Sequence, residues 1–361
     1  MTLHLYFARR FLMTFLAVFG GFFAMLVLLD LIEQARRFSD DAATFGQIVT
    51  LALLNVPQGI YRILPLIAIL TGIALFLALA RSSELVVTRA AGRSGILALA
   101  APVTMTLLIG GLAVAALNPI VAATSRAYEA RAGGIDGSVL AVSDEGLWLR
   151  QSAGGQQTVI GAARTNLDGT ELTEATFVTF GADGRPETRI DAERATLIAG
   201  AWAIEGAKLW PLTAQNPEAA AELHDAYSLP STLTPDQIRD SFGAPSSIQI
   251  WELPGFIQKL RAAGFSARRH EVYFQTELAL PLFLVSMVLI GAVFTLRPQR
   301  GGRTGIMVLG AVLLSFGLYF IRNFAQILGE AGQIPPALAA WAPPLAGIAL
   351  ALGILFNTED G

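Results

Sequence analysis

Six long apolar runs restrict what this chain can fold into more than any other feature of its sequence. They cover approximately residues 11–32, 58–80, 95–117, 277–297, 304–328 and 336–356. Each is long enough to cross a hydrocarbon core about 30 Å thick, which takes roughly 20 helical residues. Lipid offers a bare backbone no hydrogen bonds, so runs of this kind are expected to be helices. Prolines interrupt several of them, at Pro65, Pro102, Pro281, Pro343 and Pro344. Neighbouring helices of a membrane bundle re-satisfy the backbone groups that a proline frees. Composition agrees with this reading: 53% of the 361 residues are hydrophobic and 15% are charged, against about 25% charged in an ordinary soluble domain. The first run is not a secretory signal by this reading. Phe11 to Leu29 is 19 residues with no A-x-A-like site after it, whereas a signal core is about 7–15. It is expected to stay as a transmembrane helix.

Lysine and arginine in short loops set the orientation of such a protein. Arg9 and Arg10 precede the first run, Arg81, Arg89 and Arg93 lie between the second and third, and Arg297, Arg300 and Arg303 between the fourth and fifth. With six crossings these places fall on one side, which predicts cytoplasmic termini and residues 118–276 outside. Arg36 and Arg37 run against the rule, offset by Glu33, Asp40 and Asp41.

The outside segment is polar and reads differently. Short alternating runs (SVLAV, GLWLR, QQTVIGA, ATFVTF, ETRIDAERATLI and AWAIEGAKLW) are separated by turn signals at Asp168-Gly169 and Asp183-Gly184. Aspartate-glycine between alternating runs is a strong hairpin signal. Several strands at this spacing predict an antiparallel sandwich or jelly roll, ending near Leu229. After it, Thr234 and Gln237 form a capping box around Pro235. A second helix is expected over 248–263, with Ile250, Leu253, Ile257 and Leu260 as its apolar stripe and Gly264 at its end. The predicted organisation is therefore helices over 1–124, a β-jelly-roll domain with a helical connector over 125–265, and helices over 266–361.

Much chemistry is excluded. There is no cysteine, so thiol catalysis, cysteine-ligated zinc and disulfides are ruled out. His4, His224 and His270 are far apart, and Lys208 and Lys259 are the only lysines, neither in a phosphate-binding loop. No G-x-S-x-G or H-E-x-x-H occurs. The sequence predicts no catalytic residue, no metal site and no cofactor bound by this chain. The net charge of −3 averages membrane and aqueous parts and points to no nucleic-acid partner.

Four features remain as candidates. Residues 82–92, SSELVVTRAAG, form a short charged helix between two spans, ended by Gly92. It places Glu84 and Thr88 on one face, Leu85 and Arg89 on the next, and Val86 with Ala90 as a small apolar patch. That is the form of a helix that docks in a partner's groove, and equally of an amphipathic loop on lipid headgroups. Arg36 and Arg37 are either lipid-phosphate contacts, which guanidinium makes bidentately, or a solvated pair. Arg62 and Arg322 fall in membrane helices, where an arginine costs about 2.5–3.5 kcal/mol at the centre and either faces a cavity or snorkels. Phe15, Phe19, Phe22, Phe23 and Met25 on the first span, and Phe316, Phe320 and Phe324 at i, i+4, i+8 on the fifth, form apolar faces that meet lipid or another helix.

SSELVVTRAAG resembles the S-E-L-V-V-x-x-A-S-G signature of the LptF/LptG permease family, the membrane part of the ABC transporter that extracts lipopolysaccharide from the inner membrane of Gram-negative bacteria. The resemblance covers the whole chain: DLIEQARRF at 30–38, GLWLR at 146–150, LTPDQIRDSF at 233–242 and IPP at 334–336 also fit. Within the family, LTPDQ and the basic pair look more like LptG than LptF. The resemblance implies that 82–92 is a coupling helix seated in an LptB-like ATPase dimer that binds ATP and magnesium. Glu84, Leu85, Val86 and Arg89 would form its contact set, Glu84 pairing with an arginine of the ATPase. It implies that Arg36 and Arg37 meet lipopolysaccharide phosphates and that Phe23, Phe316 and Phe320 line the cavity for its acyl chains; Arg62 and Arg322 are candidates for the same lipid from their place in membrane helices. It further implies an LptF-like permease as partner, and LptC-like and LptA-like jelly rolls that receive the lipid in the periplasm. Two rival readings are a membrane-anchored enzyme with an external catalytic domain and a signalling or mechanotransmitting protein with no lipid cavity.

Overall fold

A computed structural model describes residues 2–37, 44–82, 84, 95–132, 141–143, 146–153, 156–166, 169–181, 184–234, 245–262, 266–295 and 304–359. Leu85, Val86 and Arg89, the capping box at Pro235 and Gln237, and Gly264 lie outside the described residues. The chain divides into two compact units: residues 1–129 with 246–250 and 268–361, and residues 130–245 with 251–267.

The first unit holds six helices long and apolar enough to cross a membrane. In chain order its helices are α1 (Thr2–Arg37), α2 (Phe45–Arg62), α3 (Leu64–Arg81), α4 (Gly95–Leu112), α5 (Asn118–Ala132), α7 (Arg268–Thr295), α8 (Thr304–Glu330) and α9 (Pro336–Glu359). The spans are α1, α3, α4 running into α5, α7, α8 and α9. The second span starts later than its hydropathy suggests. The chain breaks at Ile63, and residues 58–62 belong to the separate helix α2. Pro65 explains the break, because it has no N–H for the Tyr61 carbonyl and its ring presses on that turn. Pro102, Pro281, Pro343 and Pro344 are instead accommodated within continuous helices.

Helix α7 is the centre of the bundle and packs on α3, α4, α8 and α9. Its apolar window is 78% buried. Small residues let the neighbours approach it, as is usual where helices pack in lipid. A Cβ on Gly110 of α4 would stand 2.6 Å from the Pro281 Cα of α7. A Cβ on Gly291 of α7 would stand 3.2 Å from the Ile69 carbonyl oxygen of α3. A π turn at Ala113–Leu117 widens the junction of α4 and α5 just before Asn118; turns of this kind recur at functional sites.

The second unit is one antiparallel sheet whose strands pair in sequence order: β1 (Ala141–Ser143), β2 (Gly146–Ala153), β3 (Gln156–Thr165), β4 (Glu171–Phe180), β5 (Pro186–Ile198), β6 (Ala201–Pro211) and β7 (Glu222–Pro230). Gly169, Gly184 and Gly200, at successive hairpin turns, all have positive φ. Registered neighbours Leu149, Ile160, Phe177 and Ile190 form one buried row across four strands. The Phe177 ring meets Trp202 edge-on at 6.0 Å. Laid flat, β2 and β7 would be about 24 Å apart at the usual strand spacing. Yet Gln151 of β2 donates to the Pro230 carbonyl (3.2 Å) and accepts from the Ser231 hydroxyl (2.7 Å), Gln151 and Ser231 both being buried. The sheet therefore curls until its ends meet, enclosing the apolar row. Helix α6 (Leu253–Ala262) lies against β1. It starts five residues later than its apolar stripe predicts, with Pro254 in its first turn, where the missing N–H is harmless. Ile250 is buried but precedes the helix.

Candidate functional site

Two spans stand apart from the rest of the bundle. The apolar window of α1 is 6% buried and that of α8 is 17% buried. Helix α1 packs on α2, α3 and α4, and α8 mainly on α7 and α9. On α8 the stripe at Phe316, Phe320 and Phe324 faces outward, with Phe316 66% and Phe320 69% exposed. The Phe320 and Phe324 rings are stacked at 6.4 Å. On α1, Phe15, Phe19 and Phe23 form a similar ladder at 5.9 and 6.4 Å. It is buried at Phe15 and exposed at Phe23. These faces are apolar and aromatic, and at Phe23, Phe316, Phe320 and Phe324 they stand exposed among the described residues.

Beside α8 lies an apolar pocket of about 190 Å³, lined by Arg62, Pro65 and Leu66, by Met287 of α7, and by Ser315, Phe316 and Tyr319 of α8. Arg62 closes α2 rather than sitting inside a span and is exposed. The buried Ser315 hydroxyl has no partner among the described residues. The structure thus brings Arg62 and Phe316 together in one pocket.

Arg322 takes a different place. Its guanidinium lies over the Phe283 ring of α7 at 4.9 Å and within electrostatic reach of Glu277, Tyr61, Tyr273 and Tyr319. Glu277 is a buried carboxylate in the middle of the unit. Tyr61 donates a hydrogen bond to it, and Asn118 Nδ2 donates to it at 3.4 Å and to the Tyr273 hydroxyl at 3.1 Å. The other end of the Asn118 amide accepts the Ile250 N–H at 3.0 Å. A buried charge is tolerable only when paired and hydrogen-bonded. Arg322, Tyr61 and Asn118 meet that need for Glu277. Hydropathy and motif reading missed Glu277. Its signal is a lone carboxylate at the edge of an apolar run.

Arg36 and Arg37 end α1. Arg36 pairs with Glu33 one turn back at 3.0 Å, both exposed. Arg37 donates to the Tyr128 hydroxyl at 3.3 Å, and Tyr128 also bonds Gln34. The two arginines are adjacent and exposed but not part of the pocket that holds Arg62.

At the opposite end of α1, Glu84 is held by its own chain. Arg10 donates to Oε1 at 2.5 Å, Ser82 to Oε1 at 2.8 Å, and Tyr6 to Oε2 at 3.1 Å. Arg10 also donates to the Tyr6 hydroxyl at 2.7 Å and lies over its ring. Burial pushes the Glu84 carboxyl upward, but the bonds from Arg10, Ser82 and Tyr6 outweigh it and hold the group below the usual carboxylate range. Arg10 was read from sequence only as a topology signal.

Six apolar helices, the buried α7 at their centre, with a curled antiparallel sheet inserted in the chain between the third and fourth spans, define a multi-pass membrane permease carrying a β domain. Residues 5–357 match the family described as lipopolysaccharide export system permease LptF/LptG, and the chain belongs to that family. Among curated relatives, the lipopolysaccharide export system permease protein LptG of Haemophilus influenzae is 24% identical over 95% of this chain and 97% of its own. The LptG protein of Escherichia coli K12 is 23% identical over 92% of this chain and 91% of its own.

Proposed function

We propose that this chain supplies one wall of an intramembrane cavity for lipopolysaccharide, between its α1 and α8 and those of an LptF-like partner permease in the bacterial inner membrane. The carrying observation is the exposure of α1 and α8, with their aromatic faces, beside a fully packed α7. Lipopolysaccharide cannot cross water. Each CH₂ exposed costs about 0.8 kcal/mol, so an acyl chain of about twelve carbons costs on the order of 10 kcal/mol. It needs an unbroken apolar path, and a cavity between two such walls supplies the first part. Arg36, Arg37 and Arg62 are suited to lipid phosphates, Arg62 next to the pocket that Phe316 lines; Phe23, Phe316 and Phe320 are suited to acyl chains. Arg322, over the Phe283 ring, contributes its positive charge to lipopolysaccharide from behind the aromatic stripe.

The energy comes from elsewhere. Residues 82–92, with Glu84, Leu85, Val86 and Arg89, dock an LptB-like ATPase dimer, which binds ATP and magnesium. The termini are cytoplasmic and the sheet periplasmic. Its apolar interior hands the lipid to LptC-like and LptA-like jelly rolls. The chain itself binds no cofactor and hydrolyses nothing.

A pull-down of the tagged chain in mild detergent tests this, with proteins and lipids identified together. Recovery of an ATPase, a second permease and lipopolysaccharide supports the proposal. A chain that purifies alone, free of lipid A, contradicts it. Glu84→Ala should stop ATPase recovery while the chain stays membrane-inserted; normal recovery removes the docking role.

A further inference from the structure

Glu84 sits 74 residues from Arg10 in sequence, yet the two side chains meet. They are 30% and 31% exposed, so the pair is sheltered without being sealed off. Three donors converge on one carboxylate: Arg10 and Ser82 on Oε1, Tyr6 on Oε2. Arg10 and Tyr6 stand one turn apart on α1 and also bond each other, so the first turns of α1 present a ready-made, two-pronged grip. Hydrogen bonds with an ionised partner are short and roughly twice as strong as neutral ones. The grip is anchored behind by Phe7, Phe11 and Phe15, one buried face at i, i+4, i+8. Beyond Phe15 the helix exposes Leu16, Phe23, Met25, Leu28 and Leu29. Helix α1 is thus held firmly where it meets Glu84 and exposes much of its length further on. By contrast, the Arg36–Glu33 pair lies within α1.

We propose that Arg10 and Tyr6 are positioning residues for Glu84, clamping its carboxylate to the first turns of α1 so that a displacement of Glu84 by a docked ATPase moves the helix bounding the cavity. This rests on the reading of Glu84 as a docking residue. The clamp has two effects. It fixes the carboxylate's orientation for a partner cation, which lowers the ordering cost of docking. It also makes the docking segment and α1 move together, because a shift of Glu84 must carry Arg10 with it or break a charge-assisted bond.

The test uses the full chain in its assembled complex, reconstituted in vesicles containing lipopolysaccharide, with ATP turnover and lipid release measured side by side. Arg10→Met should lower ATPase recovery only modestly, because Glu84 itself remains, and in the complexes that do assemble it should lower lipid released per ATP by about tenfold, the scale of one hydrogen bond to a charged group. Arg10→Lys, which keeps a charged donor, should restore most of it. Tyr6→Phe keeps the ring and removes only the hydroxyl, so it should cause a smaller loss in the same direction. It also serves as the readout where Arg10→Met does not accumulate. The chain has no cysteine, so Tyr6→Cys with Ser82→Cys places two unique thiols, which a short bis-maleimide should join in the assembled complex. Unchanged lipid release per ATP in both Arg10→Met and Tyr6→Phe overturns the clamp, as does failure of the thiols to join. Glu84→Ala separates the two readings. Normal ATPase recovery in that variant removes the docking role. Lost recovery in Glu84→Ala with normal coupling in Arg10→Met keeps docking and removes the clamp.

Discussion

Helices α7 and α8 are both apolar, both span the membrane and pack on each other, but they solve opposite problems. The window of α7 is 78% buried and that of α8 is 17% buried. Helix α7 packs on four neighbouring helices, closely enough that Pro281 fills the space a side chain at Gly110 would need. Helix α8 turns three phenylalanines outward. Even their charged residues differ in use: Glu277 of α7 is hydrogen-bonded within the unit, while Arg322 of α8 points inward to it, away from the exposed stripe. One helix is a scaffold and the other is a wall awaiting something to face. Hydrophobicity alone does not distinguish them; packing does.

Perturbing the scaffold should therefore be costly and perturbing the wall cheap. Glu277→Ala leaves the Tyr61 hydroxyl and the Asn118 amide without their buried acceptor, and leaving buried polar groups unsatisfied destabilises by about 1–3 kcal/mol. Thermal unfolding of the purified chain in detergent should show that loss, and a variant as stable as wild type would mean that the cluster is not a structural centre. Gly110→Leu should cost about 1–3 kcal/mol by overpacking the crossing of α4 and α7, read in the same assay. Phe316→Ala combined with Phe320→Ala should change stability by less than about 0.5 kcal/mol, as exposed substitutions do, while lowering lipopolysaccharide recovery. A large stability loss there would show that α8 is scaffold after all. The clamp at Glu84 carries a pH signature. Its carboxyl is held below the ordinary value of 4.5, so the stabilisation is complete above that value and is lost only as pH falls through the lowered one. The difference in thermal stability between wild type and Arg10→Met should be constant from about pH 8 to about pH 5 and shrink in stronger acid.

Much of this was legible in the sequence, for identifiable reasons. The six spans and the first six strands announce themselves through local periodicity, because lipid and a one-sided sheet each impose a repeating pattern. Strand β7 escaped notice. ELHDAYSLP is an edge strand with every residue exposed or half-buried, so no alternation marks it. The late start of the second span was written in Pro65 but masked by the apolar residues on both sides of it. The contacts that sequence reading could not reach join distant residues: Arg10 with Glu84, Asn118 with Ile250, Tyr61 with Glu277. Helix packing sets them, and no period within a single helix encodes them. Glu84 itself was legible as a docking candidate, but its grip by α1 was not.

The division between scaffold and wall is tested most directly by placing a photo-reactive residue at 283 on α7 or at 320 on α8, and irradiating the working transporter in membranes containing lipopolysaccharide. Phe283 is 1% exposed and Phe320 is 69% exposed. Adducts with lipopolysaccharide should form at position 320 and not at 283. Equal labelling at both positions, or none at 320, would contradict the assignment of α8 as a wall of the lipid cavity.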